Sequence, residues 1–516
     1  MKLVTSEQMR ELERRSEEAG VSTAQLMENA GLAVAQETWV NLGTLEDRRI
    51  LVLAGPGNNG GDGLVAARYL FDWGAEVCVY LLRRRGEDDA NYREVVLRQI
   101  PTAAVEEDPE LRQLEAWLQG SHAVVDALLG TGRARPVEGA LAEVLRRLRA
   151  ARERPLPPRI IAVDLPTGVD ADTGAVDPLT VEADATVALG LPKLGLYVLP
   201  GSRYAGRVQP VEIGIPAGLD QDLPLELLTR SWVRDHLPAR PEDANKGTFG
   251  RVLVVGGSAA YVGAVYLAAC AAARAGAGLV TAACVPAVRA ALAARLPEAT
   301  FLPLAEHEGA IEPGEARTVL DAAAGYSALL LGPGLTQHEY AQSFVRLALF
   351  GLPAEVPAVV DADGLNALAR TEGWWTRLRS PTVVTPHPGE MARLLGVTVE
   401  QVQGDRLRTA MEAAARWRAV VVLKGANTVV AAPDGRAALS PFANPALATA
   451  GTGDVLAGTV AGLLAQGLPP FEAAACGVYL HAAAGERVRN ELGDAGALAG
   501  DLLPELPRVM KDLRAG

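Results

Sequence analysis

The sequence predicts an α/β protein of two domains, each built on a largely parallel sheet that helices cover on both faces. Short, continuously apolar runs alternate with helical patterns along the whole chain, which is typical of strands buried on both sides. The chain has 516 residues, more than one hydrophobic core usually organises, so two or three domains are expected. Hydrophobic residues make up 49% and charged residues 22% of the chain, an ordinary globular composition that argues against long disordered segments.

Each strand of this prediction is an apolar run that ends in a turn. In the first half the runs are RRILVLAGPG (48–57), EVCVYLL (76–82), HAVVDALLG (122–130), RIIAVDLPTG (159–168) and ATVALGLP (185–192). In the second half they are RVLVVGGS (251–258), GLVTAACV (278–285), ALLLGPG (328–334), AVVDADG (358–364), TVVTPHPG (382–389) and AVVVLKGANTVVA (419–431). The second half closes with one long helical pattern, GDVLAGTVAGLLAQG (453–467).

The boundary between the two domains is predicted in the segment from Ile213 to Phe249. This segment is rich in proline and acidic residues and has little apolar periodicity. We place the boundary near Leu223–Leu225, which gives domains 1–222 and 223–516. The other proline cluster, RPLPPR at 154–159, directly precedes a predicted strand and is interpreted as a loop inside the first domain.

Charge and cysteine content exclude several classes of protein. The net charge is −13 and no basic stripe is present, so nucleic acid is not an expected partner. Cys78, Cys270, Cys284 and Cys476 are scattered without a paired motif, which favours reduced thiols over a disulfide framework or a zinc site. The N-terminal pattern is that of a charged amphipathic helix rather than of a signal peptide. The apolar tract at 262–288 is interrupted by Arg274, so it is not expected to span a membrane. We therefore expect a cytoplasmic protein without a membrane partner.

Polar turns follow three strands of the first half. AGPGNNGGDGLVAARYL (54–70) places Gly57, Gly60, Gly61 and Gly63 around two amides and Asp62, ahead of a helix whose backbone N–H groups are free to bind phosphate. VVDALLGTGRARP (124–136) ends a strand with Asp126, and AVDLPTGVDADTG (162–174) ends another with Asp164. A single Asp at a strand end is often only a helix cap. Three polar turns at equivalent ends of neighbouring strands instead indicate one ligand site.

These motifs, together with ATVALGLPKLGLY (185–197), closely resemble the NAD(P)H-hydrate epimerase family, also called the YjeF N-terminal family, over most of residues 1–215. The resemblance implies a Rossmann-like doubly wound domain that interconverts the R and S forms of the hydrate at C6 of the nicotinamide ring. It implies a hydrate site made of Asn58, Asn59, Gly60, Gly61, Asp62, Gly130, Thr131, Gly132, Arg133, Ala134, Arg135, Pro136 and Asp164. It also implies potassium ligands, Asn59, Asp126 and Thr167. Asp164 is our choice for the acid/base, since epimerisation moves a proton at or near C6.

The strongest motif of the second half is NPALATAGTGDVLAG (444–458). Its glycines open backbone N–H groups at the start of an apolar helix, which suits an anion hole where phosphoryl charge develops. Asp454 stands where a carboxylate can activate a hydroxyl for attack on phosphorus, although an Asp in a first helical turn can also merely complement the helix dipole. Further polar turns end the other strands of this half. They carry Lys424 to Thr428, His387 and Glu390, Asp361 and Asp363, and Gly334.

This set resembles the ribokinase-like superfamily, specifically its ADP/ATP-dependent NAD(P)H-hydrate dehydratase branch, over residues 225–516. The matching segments are KGTFGRVLVVGGS, TPHPGE, KGANT and NPALATAGTGDVLAG. The resemblance implies that the hydrate contacts Ala264, Gly334, His387 and Asp454. It implies that the nucleotide contacts Lys424, Gly425, Ala426, Asn427, Thr428 and Gly453, with Mg²⁺ carried on its phosphates. The chain departs from the family pattern at Val265, where the family commonly has proline, next to the expected Ala264 contact.

Together the two resemblances imply a bifunctional nicotinamide nucleotide repair enzyme, an isomerase and a lyase in one chain. The first domain would epimerise NAD(P)H-hydrate, and the second would dehydrate the S form with ADP, giving AMP and phosphate. A homo-oligomer is expected. Two alternatives stay open at this point: a ribokinase-like small-molecule kinase with an accessory Rossmann-like domain, and a chain whose first domain is a binding module without catalysis.

Overall fold

The computed structural model describes residues 1–86, 88–132 and 136–515, which form two compact units. The N-terminal unit is Lys2–Leu223. The C-terminal unit begins at Pro224, runs to the end of the chain and includes Met1. Each unit has its own sheet and its own set of helices.

The N-terminal unit contains seven strands and seven α-helices among its described residues. In chain order they are α1 (Ser6–Glu18), α2 (Thr23–Leu42), β1 (Arg49–Ala54), α3 (Asn58–Asp72), β2 (Glu76–Leu81), α4 (Ala90–Leu97), β3 (Thr102–Ala104), α5 (Arg112–Gly120), β4 (Ala123–Ala127), α6 (Gly139–Arg152), β5 (Arg159–Val163), β6 (Ala185–Leu189), α7 (Gly201–Tyr204) and β7 (Arg207–Val211). The strand order is β3-β2-β1-β4-β5-β6-β7, and each neighbouring pair is parallel. The order reverses between β1 and β4, and ligands of open α/β sheets bind at such a switch point.

The core of this unit lies on both faces of the sheet, as the continuous apolar runs predict. Because successive strand residues point to opposite faces, Ile50 and Val52 pack on the side of α2 and α3, while Leu51 and Leu53 pack on the side of α5 and α6. The predicted fold class is confirmed. The short strand β3 and the edge strand β7 were not predicted. Pro210 lies within β7, and an edge strand tolerates proline because one side of its backbone needs no partner.

The C-terminal unit follows the same α/β principle with more elements. In chain order they are β8 (Leu225–Leu227), α8 (Arg230–His236), β9 (Arg251–Val255), α9 (Val262–Arg274), β10 (Leu279–Cys284), α10 (Pro286–Ala293), β11 (Thr300–Pro303), β12 (Glu306–His307), β13 (Ala310–Ile311), α11 (Ala316–Ala323), β14 (Ala328–Leu331), α12 (Glu339–Gly351), β15 (Ala358–Val360), α13 (Asp363–Ala369), β16 (Thr382–Val384), α14 (Pro388–Leu395), α15 (Val399–Gly404), α16 (Arg406–Trp417), β17 (Val420–Leu423), β18 (Val429–Ala431), β19 (Ala437–Leu439), α17 (Thr452–Ala465), α18 (Pro470–Leu492) and α19 (Ala499–Ala515).

Ten strands of this unit form one sheet in the order β11-β10-β9-β14-β15-β16-β17-β18-β19-β8. The strands from β11 to β17 are parallel, whereas β18 is antiparallel to both β17 and β19. The apolar run at 419–431 is therefore two strands joined by a turn at Lys424–Thr428. The expectation that the chain closes with one long helix is wrong, because α18 and α19 follow α17. Pro504 and Pro507 lie inside α19 and weaken its helical pattern.

Helix α17 packs directly against α9 through its glycines. A Cβ atom at Gly458 would lie 2.1 Å from the carbonyl oxygen of Ala268, and one at Gly462 would lie 2.6 Å from that of Ala272. The two helix backbones therefore touch, which fixes where α17 begins relative to the sheet. Helix α17 is buried along most of its length. No helix in the described part of the chain is long and apolar enough to cross a membrane.

Candidate active sites

The first candidate site lies where four adjacent strands of the N-terminal unit end. Strands β1, β4, β5 and β6 are neighbours and run in the same direction, so their carboxyl ends lie along one edge of the sheet. The turns after β1, β4 and β5 are the three that the sequence singled out. The structure thus brings them together, and it adds a fourth, the turn that carries Lys193 after β6.

The turn after β1 is shaped by close backbone contacts. A Cβ atom at Gly55 would lie 1.8 Å from the Leu128 carbonyl oxygen, and one at Gly60 would lie 2.0 Å from the Gly55 carbonyl oxygen. Helix α3 begins at Asn58, so the predicted glycine-rich turn is shorter than expected, and Asn58 to Asp62 form the first helical turn itself. Their backbone N–H groups belong to the helix N-terminus, which attracts anions.

Asp126 and Thr167 form a buried hydrogen-bonded pair at the ends of β4 and β5. The Thr167 hydroxyl and backbone N–H donate to the two Asp126 carboxylate oxygens at 2.7 and 2.9 Å, and the Leu128 N–H donates to Asp126 at 3.3 Å. The Thr167 hydroxyl also accepts from the Leu129 N–H at 3.1 Å. These bonds leave one lone pair on Asp126 and one on Thr167 available for a cation. Burial raises the pKa of Asp126, and a bound cation would oppose that shift.

Asn59, the third predicted potassium ligand, contacts the turn after β4. A Cβ atom at Gly130 would lie 2.9 Å from the Asn59 Oδ1 atom, so the side-chain amide lies against that glycine. The Asn59 Nδ2 atom is buried without a hydrogen-bond partner in the described part of the chain. The three residues thus offer only oxygen ligands, from a carboxylate, a hydroxyl and an amide, which suit a hard monovalent cation. The described residues contain no cluster of three acidic, histidine or cysteine side chains arranged to hold a metal.

Asp164 adopts an unusual backbone conformation at the end of β5. Its φ angle is +67°, in the left-handed region that non-glycine residues rarely enter. The residue is 5% exposed, and its Oδ1 atom contacts the Lys193 Nζ atom and accepts from the Leu189 N–H at 3.2 Å. Such strained positions often lie at functional sites. Asp62, on the first turn of α3, is also buried at 7% exposure.

The remaining predicted hydrate contacts occupy more open positions. Asn58 and Gly132 are exposed, Thr131 is half-buried, and Pro136 is exposed. Arg133, Ala134 and Arg135 lie outside the described residues. The contacts of all these residues with a hydrate stay predictions.

Two cationic residues of this site were missed by sequence reasoning. Arg85 donates hydrogen bonds to the carbonyl oxygens of Gly55 and Gly57, at 2.6 and 2.8 Å, and so supports the turn after β1. Lys193 is 1% exposed beside Asp164. The signal for Lys193 was present, because a lysine inside the apolar run LGLPKLGLY is seldom buried unless it is paired.

The second candidate site surrounds the N-terminus of α17 in the C-terminal unit. Gly451 precedes the helix with a φ angle of +91°, and Gly453 and Asp454 lie in the first turn. A Cβ atom at Gly453 would lie 3.3 Å from the Lys424 Nζ atom and 3.9 Å from the Asp361 Oδ2 atom. The structure therefore brings the helix N-terminus, the lysine after β17 and the carboxylate after β15 to one place.

Lys424 is the cation at the centre of this second site. Its Nζ atom donates to Asp361 Oδ1 at 2.7 Å and lies 3.9 Å from Glu390 Oε2. Burial lowers the pKa of Lys424, but the Asp361 and Glu390 carboxylates outweigh it, so the pKa is raised and the ammonium stays charged. Asp361 also accepts from the Thr385 hydroxyl at 2.8 Å. The sequence placed Asp361 and Glu390 at strand ends but assigned them no contact.

Asp454 and Glu390 are carboxyl groups that change their protonation state near neutral pH. Burial and the neighbouring Asp361 charge raise the pKa of Asp454 to about 7, against the opposing effect of Lys424. Burial likewise raises the pKa of Glu390 to about 7, with Lys424 again opposing. A group with a pKa near the working pH is suited to take up and release a proton. The position of Asp454 thus agrees with a role in activating a hydroxyl.

Gly334 and Ala264 are neighbours, as expected if both contact one ligand. A Cβ atom at Gly334 would lie 3.1 Å from the Ala264 Cβ atom and 2.8 Å from the Tyr261 carbonyl oxygen. The same turn is tied to the end of β15, because the Thr336 N–H donates to Asp363 at 2.8 Å. The turns after β14 and β15 and the start of α9 therefore meet on one side of the second site.

His387 caps helix α14 at the end of β16. Its Nδ1 atom accepts from the Gly389 N–H at 3.0 Å, while its Nε2 atom lies 3.6 Å from Glu390 Oε1. Burial, Lys424 and Arg393 lower the pKa of His387, so the ring is neutral at neutral pH. The side chain is half exposed, which leaves its outer edge open to a ligand.

The turn from Lys424 to Thr428 exposes mostly backbone atoms to solvent, where a ligand could contact them. Gly425 and Ala426 are exposed, and Thr428 donates its hydroxyl proton to the Gly425 carbonyl at 2.8 Å. Asn427 is buried, and its amide donates to the Ser440 carbonyl at 3.3 Å. The Asn427 side chain therefore supports the turn from inside, and any contact that it makes with a nucleotide is expected through its backbone. All the predicted nucleotide and hydrate contacts of this unit stay predictions.

Comparisons with known proteins match both halves of the chain. A family model described as NAD(P)H-hydrate dehydratase matches residues 252–508, and one described as YjeF-related protein N-terminus matches residues 23–195. The bifunctional NAD(P)H-hydrate repair enzyme Nnr of Moorella thermoacetica is 44% identical, and the match covers 99% of this chain and 97% of that protein. The Nnr of Thermofilum pendens is 38% identical, with coverage of 100% and 97%.

A solved structure agrees with the fold of the C-terminal unit. A ribokinase-like superfamily protein from Enterococcus faecalis V583 is 28% identical, and the match covers 57% of this chain and 98% of that chain, with a TM-score of 0.50. The ribokinase-like fold predicted for the second half is thus confirmed, as is the family predicted from the motifs. With relatives at 38–44% identity along nearly the full length, this chain belongs to the family of bifunctional NAD(P)H-hydrate repair enzymes.

Proposed function

We propose that the chain returns hydrated nicotinamide nucleotides to NAD(P)H in two steps. The N-terminal unit interconverts the R and S forms of NAD(P)H-hydrate. The C-terminal unit phosphorylates the C6 hydroxyl of the S form with ADP, after which phosphate leaves and the ring double bond reforms. The products are NAD(P)H, AMP and phosphate. Family membership supports both activities.

The observation that carries the second step is the position of Asp454 beside Gly453, Lys424 and Asp361. A carboxylate with a pKa of about 7 can accept the proton of an attacking hydroxyl. The adjacent helix N-terminus and the Lys424 ammonium are positive groups that can stabilise the charge of a transferring phosphoryl group. Proton acceptor and charge stabiliser thus lie in one turn of helix, as phosphoryl transfer requires.

Two metal ions would assist these steps. Potassium, held by Asn59, Asp126 and Thr167, would supply positive charge beside the hydrate in the N-terminal unit. Mg²⁺ would reach the C-terminal unit on the nucleotide phosphates, as the resemblance implies. It would neutralise phosphate charge, while Lys424 and the turn from Gly425 to Thr428 hold the phosphates and Asp454 moves the proton.

The test is to incubate purified protein with the S form of NADH-hydrate and either ADP or ATP. We expect NADH absorbance to return with ADP, and we expect AMP and free phosphate to form in amounts equal to the NADH. A stable phosphorylated product without NADH would instead support the alternative small-molecule kinase. Faster turnover with ATP than with ADP would contradict the proposed nucleotide preference.

A further inference from the structure

Lys193 is fixed in place by contacts of its side chain and by hydrogen bonds of the backbone on both sides of it. Its Nζ atom contacts the Asp164 carboxylate and donates to the Leu189 carbonyl at 2.9 Å. The Val4 N–H donates to the Pro192 carbonyl at 3.1 Å, and the Leu194 N–H donates to the Val4 carbonyl at 3.0 Å. The segment before α1 therefore fixes the backbone on both sides of Lys193. A buried ammonium is costly unless it is paired and hydrogen-bonded, so this arrangement indicates a specific use.

Asp164 is equally constrained. Its N–H donates to the Val187 carbonyl at 2.8 Å while its φ angle stays in the left-handed region. The Leu189 N–H and the Lys193 ammonium both contact its Oδ1 atom, which leaves Oδ2 without a bond from either. Both groups stabilise the ionised carboxylate. Asp164 is therefore a fixed carboxyl group that is paired with a cation and has one oxygen left to accept a proton.

Asp62 is a buried carboxylate in a different electrostatic setting. In the part of the chain that the structure describes, no ion pair or side-chain hydrogen bond reaches it. Burial raises the pKa of Asp62 well above its usual value, and the negative charges of Asp164 and Glu13 raise it further, while Lys193 and Arg85 oppose the shift. Burial thus favours the protonated form of Asp62, whereas Asp164 is paired with an ammonium group. Pairs of carboxylates in such opposed settings commonly divide acid and base roles.

We propose that Asp62 is the proton donor of the epimerase, that Asp164 is the proton acceptor, and that Lys193 is the positioning residue that separates the two roles. This assignment rests on the proposed epimerase function. The donor is on the first turn of α3 and the acceptor is at the end of β5, so they approach the hydrate from two different elements. The strand order places β1, which leads into α3, two strands away from β5.

The proposed step balances without any oxidant or reductant. Asp62 gives its proton to the C6 hydroxyl, the C6–O bond breaks, and water leaves while the N1 lone pair forms the N1=C6 bond. A water molecule then attacks C6 from the opposite face, the new C6–O bond forms, and the N1=C6 electron pair returns to N1. The attacking water gives its extra proton to Asp164. Solvent carries that proton back to Asp62 before the next turnover.

The test uses the full chain and follows R-to-S interconversion of NADH-hydrate against pH by chromatography. Asp62→Asn should lower the rate about 10²- to 10⁴-fold at every pH, as loss of a general acid does. Lys193→Met makes ionisation of Asp164 less favourable, so the acidic limb of kcat/KM should move upward by about one pH unit or more. Lys193→Arg keeps the positive charge and should leave that limb in place. The exposed Lys511→Met is the matched control, and its profile should equal that of the wild type.

A second variant separates misfolding from loss of function. Lys193→Met leaves a buried carboxylate unpaired, whereas the double change Asp164→Asn with Lys193→Met removes both charges and should restore the wild-type Tm while epimerisation stays lost. Full activity of Asp62→Asn, or an unmoved acidic limb in folded Lys193→Met, would overturn the assignment. Wild-type protein that dehydrates the S form with ADP but never interconverts R and S would instead contradict the proposed epimerase function itself.

Discussion

A Cβ atom at Gly453 would lie 3.3 Å from the Nζ atom of Lys424, closer than most side-chain contacts allow. The absence of a side chain at this position therefore keeps the start of α17 beside the ammonium group. Asp361, which binds the same ammonium, would lie 3.9 Å from the added atom. The glycine, the lysine and the carboxylate thus form one packed arrangement at the proposed site of phosphoryl transfer.

Gly453→Ala should slow nucleotide-dependent dehydration without destabilising the protein. The added methyl group displaces the Lys424 ammonium group, which slows the reaction. Replacing glycine by alanine within a helix stabilises the fold by about 0.5–1 kcal/mol, so the protein is not expected to lose stability. Dehydration rate and Tm should be measured on one preparation. Gly500→Ala is the matched control, since an added Cβ in α19 meets no neighbouring atom within 4 Å. Wild-type dehydration kinetics in Gly453→Ala would show that the reaction does not depend on the close approach of Lys424 to residue 453.

Asp454→Asn should separate the two activities. The change removes the proposed proton acceptor, so dehydration should fall about 10²- to 10⁴-fold while R/S interconversion is unchanged. Stability at neutral pH should be kept or improved, because ionising a buried carboxylate with a raised pKa opposes folding as the pH rises toward about 7. Turnover near the wild-type rate would remove Asp454 from the catalytic role.

The rate of dehydration should rise with pH through about 7. Asp454 accepts a proton only when it is ionised, and its raised pKa means that ionisation is completed only above that value. The measurement is kcat/KM for the S hydrate across this range, with Asp454→Asn as the reference for any pH effect on the substrate. A flat profile in the wild type would contradict a proton acceptor at this position.

Asp126→Asn should reduce both epimerisation and its response to potassium. The amide oxygen can still accept from the Thr167 hydroxyl and the Leu128 N–H, while the NH2 group replaces the oxygen that accepts from the Thr167 N–H, and the negative charge that attracts a cation is lost. Replacement by alanine would leave all three buried donors unpaired at a cost of about 1–3 kcal/mol each, whereas asparagine leaves only one, so asparagine is the cleaner test. Thermal unfolding of the same sample checks that the N-terminal unit is folded. Unchanged potassium dependence would show that the cation site lies elsewhere.

The sequence predicted the strand ends of both sites because continuously apolar runs stop abruptly at a polar residue. Asp126, Asp164, Asp361 and Lys424 all lie at or just after the end of a strand, as expected. It did not predict the role of Lys193, because its partner Asp164 is distant in sequence and the contact depends on β5 and β6 pairing side by side.

Other features were hidden for different physical reasons. Edge strand β7 has no continuous apolar run, and the prolines of α19 interrupt its periodicity. Asn427 looked like a ligand-facing polar residue in a turn, whereas its side chain faces inward to the Ser440 carbonyl. Which way a turn residue points depends on the neighbouring strand, and periodicity along one segment carries no information about that.

The central claim is that two sites in one chain act in sequence on the two forms of the hydrate. It is tested most directly by supplying only the R form of NADH-hydrate with ADP and recording the return of NADH absorbance. The wild-type chain should convert the R form completely, whereas Asp62→Asn should convert it about 10²- to 10⁴-fold more slowly, although it still dehydrates the S form at the wild-type rate. Wild-type protein that dehydrates the S form but converts the R form only at its spontaneous rate would contradict the account, whereas equal rates from the R form in wild type and Asp62→Asn would contradict only the role given to Asp62.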